Sequence, residues 1–231
     1  DLFVTVSESF KSMVSRKGIS PERILTLYNW SMVEKKPEII SGQFTFETSG
    51  YHIVYAGNIG VHQGLSKLVE GMNQITWKNP GIYFHFFGDG TDLDELKKES
   101  VHHQNIILHG RVASSEITKY MEAADALFLH LIKDPIYECI IPSKLQAYIE
   151  IGKPILAGIE GEARLFVTAN SLGEVSESEN NADFETATLN LAAFSPEKVS
   201  EIKERSINLY REKFSRNAGA EKVHQFMRKN F

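Results

Sequence analysis

Short apolar runs alternate with amphipathic stretches along most of the chain. The runs that read as strands are Phe3 to Val6, Ile24 to Tyr28, His52 to Ala56, Ile82 to Phe87, Ile106 to His109, Ala126 to Leu131, Pro154 to Ala157 and Gly173 to Val175. Between them, helical spacing covers Glu8 to Lys17, Gly64 to Gln74, Asp92 to Glu99, Ser114 to Ala124, Ser143 to Ile151, Glu162 to Asn170 and Asp183 to Ala193, and two closing helices follow from Ser195. Ser114 and Ser115 ahead of Glu116 and Ile117 give a helix start of the capping type. Strand, helix and strand in this repetition predict an α/β fold, a parallel sheet with helices on both faces.

One stretch breaks the pattern. Ser31 to Gly50, "SMVEKKPEIISGQFTFETSG", is polar, contains Pro37 and sustains no period, so it reads as a linker. The organisation expected is a main domain over 51–231, a linker over 31–50, and over 1–30 the tail of a preceding domain. That tail is a strand, helix and strand that cannot bury their own faces. The chain starts at Asp1 directly on an apolar run, as a piece of something longer does.

Composition narrows the function. The 231 residues are 42% hydrophobic and 24% charged, ordinary globular material, and a net charge of -5 gives no general attraction to nucleic acid or an acidic membrane. Any anion is bound locally. The single cysteine, Cys139, forms no internal disulfide, and no run has the ~18 apolar residues of a membrane span.

In an open parallel sheet, ligands bind beyond the carboxyl ends of the strands. Four loops there carry glycine or polar groups. "AGNIGVHQG" holds Gly57, Asn58, Gly60, Gln63 and Gly64, "FGDGTDLDEL" holds Gly88, Asp89 and Gly90, and "HGRVASSE" holds Arg111 and Val112. The fourth, "IIPSKLQAY", runs from Pro142 and Ser143 into a helix with Lys144, Gln146 and Ala147 in its first turns. A lysine sits poorly at the positive end of a helix dipole unless an anion lies between them. Together these loops describe a nucleotide pocket. Plainer roles compete at each position: a surface lysine for Lys144, tight turns for the glycines, a surface ion pair for Arg111, solvated loop residues for Asn58 and Gln63. His130 reads as a packed core histidine rather than a cleft residue. His102 and His103 have no carboxylate or cysteine at ligand spacing, so no metal is expected.

The ordered set "YAGNIGVHQGLSKLVEGM", "FFGDGTDLDEL", "LHGRVASSEITKYMEAADALFLHL", "PSKLQAYIEIGKPILAG" and "GEARLFVTANSLG" resembles the C-terminal half of family 4 retaining glycosyltransferases. Within them it looks most like the branch that adds N-acetylated amino sugars in bacterial surface polysaccharide synthesis. The resemblance implies a GT-B fold, whose Rossmann-like C-terminal domain binds a sugar nucleotide, here UDP-linked by preference. It implies no metal or other cofactor, an acceptor saccharide or lipid-linked saccharide met by the N-terminal domain, and a cytoplasmic address, peripheral at the inner face of the membrane. This chain alone is then expected to be catalytically silent. The backbone at Val112 would meet the base. The family's arginine and lysine of the first loop are replaced by Asn58 and Gln63, and its two glutamates by Cys139 and Ala147. The likeness to the branch with "PSK" loops implies that Lys144 and the helix amides hold the diphosphate instead, with Lys144 as the catalytic cation.

Three rival classes remain. A dehydrogenase would need G-x-G-x-x-G where "GNIGVHQG" stands. A non-hydrolysing sugar-nucleotide epimerase would share the fold and turn over without an acceptor. A non-catalytic sugar-nucleotide-binding module would bind and do nothing more.

Overall fold

The structure, a computed structural model, describes residues 2–31 and 44–230. Strands β1 (Phe3–Thr5) and β2 (Ile24–Thr26) form a small parallel pair. Strands β3 (Tyr51–Ala56), β4 (Ile82–Phe87), β5 (Ile106–Gly110), β6 (Ala126–His130), β7 (Ile155–Gly158) and β8 (Gly173–Ser176) form a second sheet in the order β5-β4-β3-β6-β7-β8. Every pairing in it is parallel. Each strand expected from the sequence forms, with ends shifted by a residue or two.

The central strands are covered on both faces, which is why they read as continuous apolar runs. Alternate residues serve opposite layers. Val54, Leu127 and Leu129 pack with Leu145, Tyr148 and Ile149 on one side. Ile53, Tyr55 and Phe128 pack with Leu68, Met72 and Phe184 on the other. Strand order reverses between β3 and β6, so their carboxyl ends open a crevice at that switch point.

The helices are α1 (Glu8–Arg16), α2 (Val69–Lys78), α3 (Leu93–Ser100), α4 (Ser114–Ala123), α5 (Ser143–Ile151), α6 (Gly161–Ala169), α7 (Asn181–Ala192), α8 (Pro196–Leu209) and α9 (Arg216–Asn230). One cap and one start differ from expectation. α4 begins at Ser114, but its N-cap is Ala113 with no side-chain cap, because a serine already inside the helix stands too late to receive the first amides. α2 was expected from Gly64, yet Gly64 is left-handed at φ 56, and a 3-10 turn over Ser66–Leu68 precedes the helix. A π-helical stretch, Tyr210–Phe214, joins the two closing helices.

The leading strand, helix and strand bury more than expected. β2 is buried along its length, whereas α1 buries no residue. The unit is fastened to the main sheet's elements. The Glu162 carboxylate accepts from the N–H groups of Glu8 (3.0 Å) and Ser9 (2.6 Å), and the Ser7 hydroxyl donates to the Cys139 carbonyl at 2.5 Å. Of the expected linker, 32–43 lie outside the described residues. Its far end is packed: Phe46 stacks on His52 at 4.3 Å and 13°, and Phe44 meets Tyr120 at 4.6 Å.

Candidate functional site

The first two glycine loops are zipped together by backbone. Gly57 N–H donates to Phe87 O, Ile59 N–H to Asp89 O, and Asp92 N–H returns to Ile59 O, all at 2.8–2.9 Å. A Cβ on Gly88 would stand 1.8 Å from Gly57 O, and one on Gly90 would stand 2.3 Å from Ile59 O. Glycine at these positions is a requirement of close approach. Within the first loop the Gln63 amide oxygen accepts from Gly60 N–H and from Asn58 Nδ2, each at 3.0 Å. Asn58 and Gln63 are therefore bound to each other and shape the loop.

Two joined chambers open at the switch point. The first, about 410 Å³, is lined by Gly57, Asn58, Phe87, Gly88, Asp89, Arg111, Val112, Ser114 and Ile117. It is a slot with apolar walls and polar edges. The second, about 340 Å³, shares Gly57, Ser114 and Ile117 with the first and adds Ser143, Lys144, Ala147 and Tyr148 from α5, Thr118 and Met121 from α4, Ala56 and Trp30. Its walls are mostly apolar around one cation. Pro142, the N-cap of α5, brings no side-chain acceptor, so the first-turn amides lack a cap next to Lys144.

The Lys144 side chain crosses Gly57, where an added Cβ would come within 2.6 Å of Cε and 3.0 Å of Nζ. Its ammonium lies 5.0 Å from the Tyr55 ring centroid. Among the described residues no carboxylate pairs with it. Burial alone pulls its pKa down to about 8. It is a largely buried ammonium whose nearest described partner is an aromatic ring.

Of the residues singled out by sequence, Gly57, Asn58, Gly88, Asp89, Arg111, Val112, Ser143, Lys144 and Ala147 line the chambers. Gly60, Gln63, Gly90 and Pro142 support loops behind them. Gln146 is 1% exposed and lines neither chamber, because a residue two places after Lys144 points to the other side of the helix. The sequence reading missed Ile117 and Met121, an i,i+4 pair whose apolar spacing on α4 was the available signal. It also missed Phe87, Tyr148 and Trp30, and Trp30 comes from the leading unit with no local signature.

A row of three histidines crosses β3, β4 and β5 and ends against Phe87 of the slot. His52 Nε2 meets Thr48 O at 3.0 Å, His52 Nδ1 meets His85 Nε2 at 3.0 Å, and His85 Nδ1 meets His109 Nε2 at 2.9 Å. His109 stacks on Phe87 at 4.1 Å and 2°. Each His–His contact takes one proton, and burial with its two histidine neighbours pulls His85 down to about 3. His130 is a core histidine, as read. Among the described residues no three His, Cys, Asp or Glu side chains gather as a metal site, and no helix is long and apolar enough to cross a membrane.

Several solved structures share this fold. The solved structure of Anabaena HepE in complex with UDP superposes at a TM-score of 0.73 and 15% identity, over 99% of this chain and 64% of that one. The probable glycosyltransferase WbjE of Pseudomonas aeruginosa is 24% identical over 71% of this chain and 42% of its own length. The putative colanic acid biosynthesis glycosyl transferase WcaI of Escherichia coli K12 is 22% identical over 64% of this chain and 38% of its own. The chain thus spans about two fifths of these curated relatives. The model of the family "Glycosyl transferases group 1" matches residues 50–193, from the start of β3 through α7, and the chain belongs to that family.

Proposed function

We propose that the cleft holds the nucleoside diphosphate of a sugar donor, with uracil as base, for transfer of a hexosyl or N-acetylaminosugar unit with retention in bacterial surface polysaccharide synthesis at the cytoplasmic face of the membrane. The base enters the slot between Phe87 and Ile117, with the backbone at Val112 at its edge. The diphosphate lies over Gly57 against Lys144 and the α5 amides. When the bond from the anomeric carbon to the β-phosphate oxygen breaks, its electron pair stays on the phosphate, and a fixed cation stabilises that charge. The acceptor hydroxyl supplies the new bond, and its proton leaves to a group on the part of the enzyme that lies outside this chain. Lys144 supplies the neutralising charge, so UDP binding is expected to be insensitive to EDTA and to added Mg²⁺.

The observation that carries this reading is Lys144: a largely buried ammonium with no carboxylate partner among the described residues, beside an uncapped helix start. Isothermal titration of the wild type and Lys144→Ala with UDP and with uridine tests it. UDP binding weakens by about 1.5–3 kcal/mol, the range for a hydrogen bond to a charged group, while uridine binding barely changes. Equal loss for both ligands, or none for either, overturns the assignment.

A further inference from the structure

His130 closes β6, and the residue is 1% exposed. Each ring nitrogen serves a different loop of the carboxyl rim. Nδ1 lies 2.5 Å from the backbone oxygen of Gln63, and the backbone N–H of Glu179 reaches Nε2 at 3.3 Å. A carbonyl only accepts and an amide N–H only donates, so the ring is neutral with its proton on Nδ1. The seat is tight: a Cβ at Gly158 would stand 2.3 Å from the ring's Cδ2, and one at Gly64 would stand 3.5 Å from Cε1. The charged groups nearby are the Glu179 carboxylate and the Lys67 ammonium, which pair with each other. Burial dominates over both and draws the His130 pKa down to about 4.

Gln63 faces two ways. Its backbone oxygen is held by His130, while its side-chain oxygen gathers Gly60 N–H and Asn58 Nδ2. Asn58 lines the first chamber. With no cation in this loop, what the loop gives a donor is its shape. We propose that His130 is a positioning residue for the donor loop: its Nδ1–H fixes Gln63, and Gln63 sets Asn58 and Gly60 where the nucleoside diphosphate is met. The donor itself rests on the function proposed above, whereas the coupling from His130 to the loop stands on the free protein.

Two substitutions separate the two bonds. In His130→Asn the amide nitrogen stands where Nδ1 stood and still donates to Gln63. In His130→Gln the amide oxygen stands where Nε2 stood and still accepts from Glu179. Both lose the ring, so a purely structural role would affect them alike. Amide exchange of Gly60 in the ligand-free chain is expected to quicken about threefold to tenfold in His130→Gln and by less than about twofold in His130→Asn, the scale of one neutral hydrogen bond. UDP affinity follows the same order. Equal effects in the two variants, or a larger effect in Asn, overturn the proposal. Should both variants fail to fold, nitrogen NMR of the wild-type imidazole decides it: a proton on Nδ1 at pH 7 supports the coupling, and a proton on Nε2 removes it. If the two variants show this exchange pattern and the wild-type chain binds no UDP, the donor reading is refuted and the loop coupling stands.

Discussion

On the function proposed above, Lys144 trades stability for binding. Its pKa falls from 10.5 to about 8 because the folded chain withholds water from the ammonium. Between those values the unfolded chain carries the proton and the folded chain does not, so the unfolding free energy rises with pH from about 8 towards 10.5. At pH 7 the full cost of the buried charge is present, partly offset by the Tyr55 ring. Lys144→Met is therefore expected to raise stability by about 1–2 kcal/mol at pH 7 in urea melts, with the gap closing as pH passes 10. The same proton governs the ligand. A bound diphosphate favours the ammonium, so UDP affinity should hold steady up to about pH 8 and then fall as pH rises, which titrations across pH 7–9.5 measure. Gly88 makes a different kind of residue-level demand. Its φ of 148 and the Gly57 oxygen 1.8 Å from any Cβ leave alanine no place. Gly88→Ala is expected to cost about 2–4 kcal/mol and to abolish UDP binding, since the two glycine loops must separate to admit it.

At the scale of elements, the strands were legible because a buried parallel strand cannot avoid being an apolar run, and the crevice was legible because the loops that follow such strands carry the glycines. What escaped depended on register or long-range contact. His52, His85 and His109 are 33 and 24 residues apart, and only the pairing of β3, β4 and β5 brings them side by side. Nothing in the spacing of Gln63 shows that its amide oxygen gathers Gly60 and Asn58. The packed end of the linker escaped for the same reason: Phe44 and Phe46 sit in a polar stretch, and their partners are on other elements. The histidine chain carries a testable consequence. His85 is held at about 3 against 6.5 in the unfolded chain, so the unfolded state binds more protons throughout that interval, and stability present above pH 6.5 is lost as pH falls through it. His130, held at about 4, adds to the same limb. Urea midpoints should drop steadily from pH 6.5 to 4.5, and His85→Leu should flatten that slope. An unchanged slope in the variant would place the acid sensitivity elsewhere.

For the molecule as a whole, the question is what fastens the leading β1-α1-β2 unit to the six-stranded sheet. α1 contributes no buried residue, so apolar burial by the helix is not the answer. The polar attachment is concentrated on Glu162, whose two carboxylate oxygens receive the Glu8 and Ser9 amides at the positive end of α1. Ser7 caps the same helix by accepting from Phe10 N–H and spends its own proton on the Cys139 carbonyl, in the segment that leads into α5 and Lys144. The first turn of α1 is thus satisfied partly by its own cap and partly by a side chain 153 or more residues away. Glu162→Ala leaves two helix amides without acceptors and removes a charge from the favourable end of the dipole, a loss of about 1–2 kcal/mol in the docking of the unit. Because Glu162 lines neither chamber, UDP affinity should not move. The measurement is amide exchange resolved along the chain: Glu8, Ser9 and the rest of α1 should exchange faster in the variant, while β3, β4 and β6 keep their protection. If those central strands loosen together with α1, the two sheets open as one cooperative body and Glu162 is a structural residue of the whole. If α1 does not change, the unit is held by β2 and by the packing of Tyr28 on Phe166 and Phe214, and the capping carboxylate contributes nothing measurable.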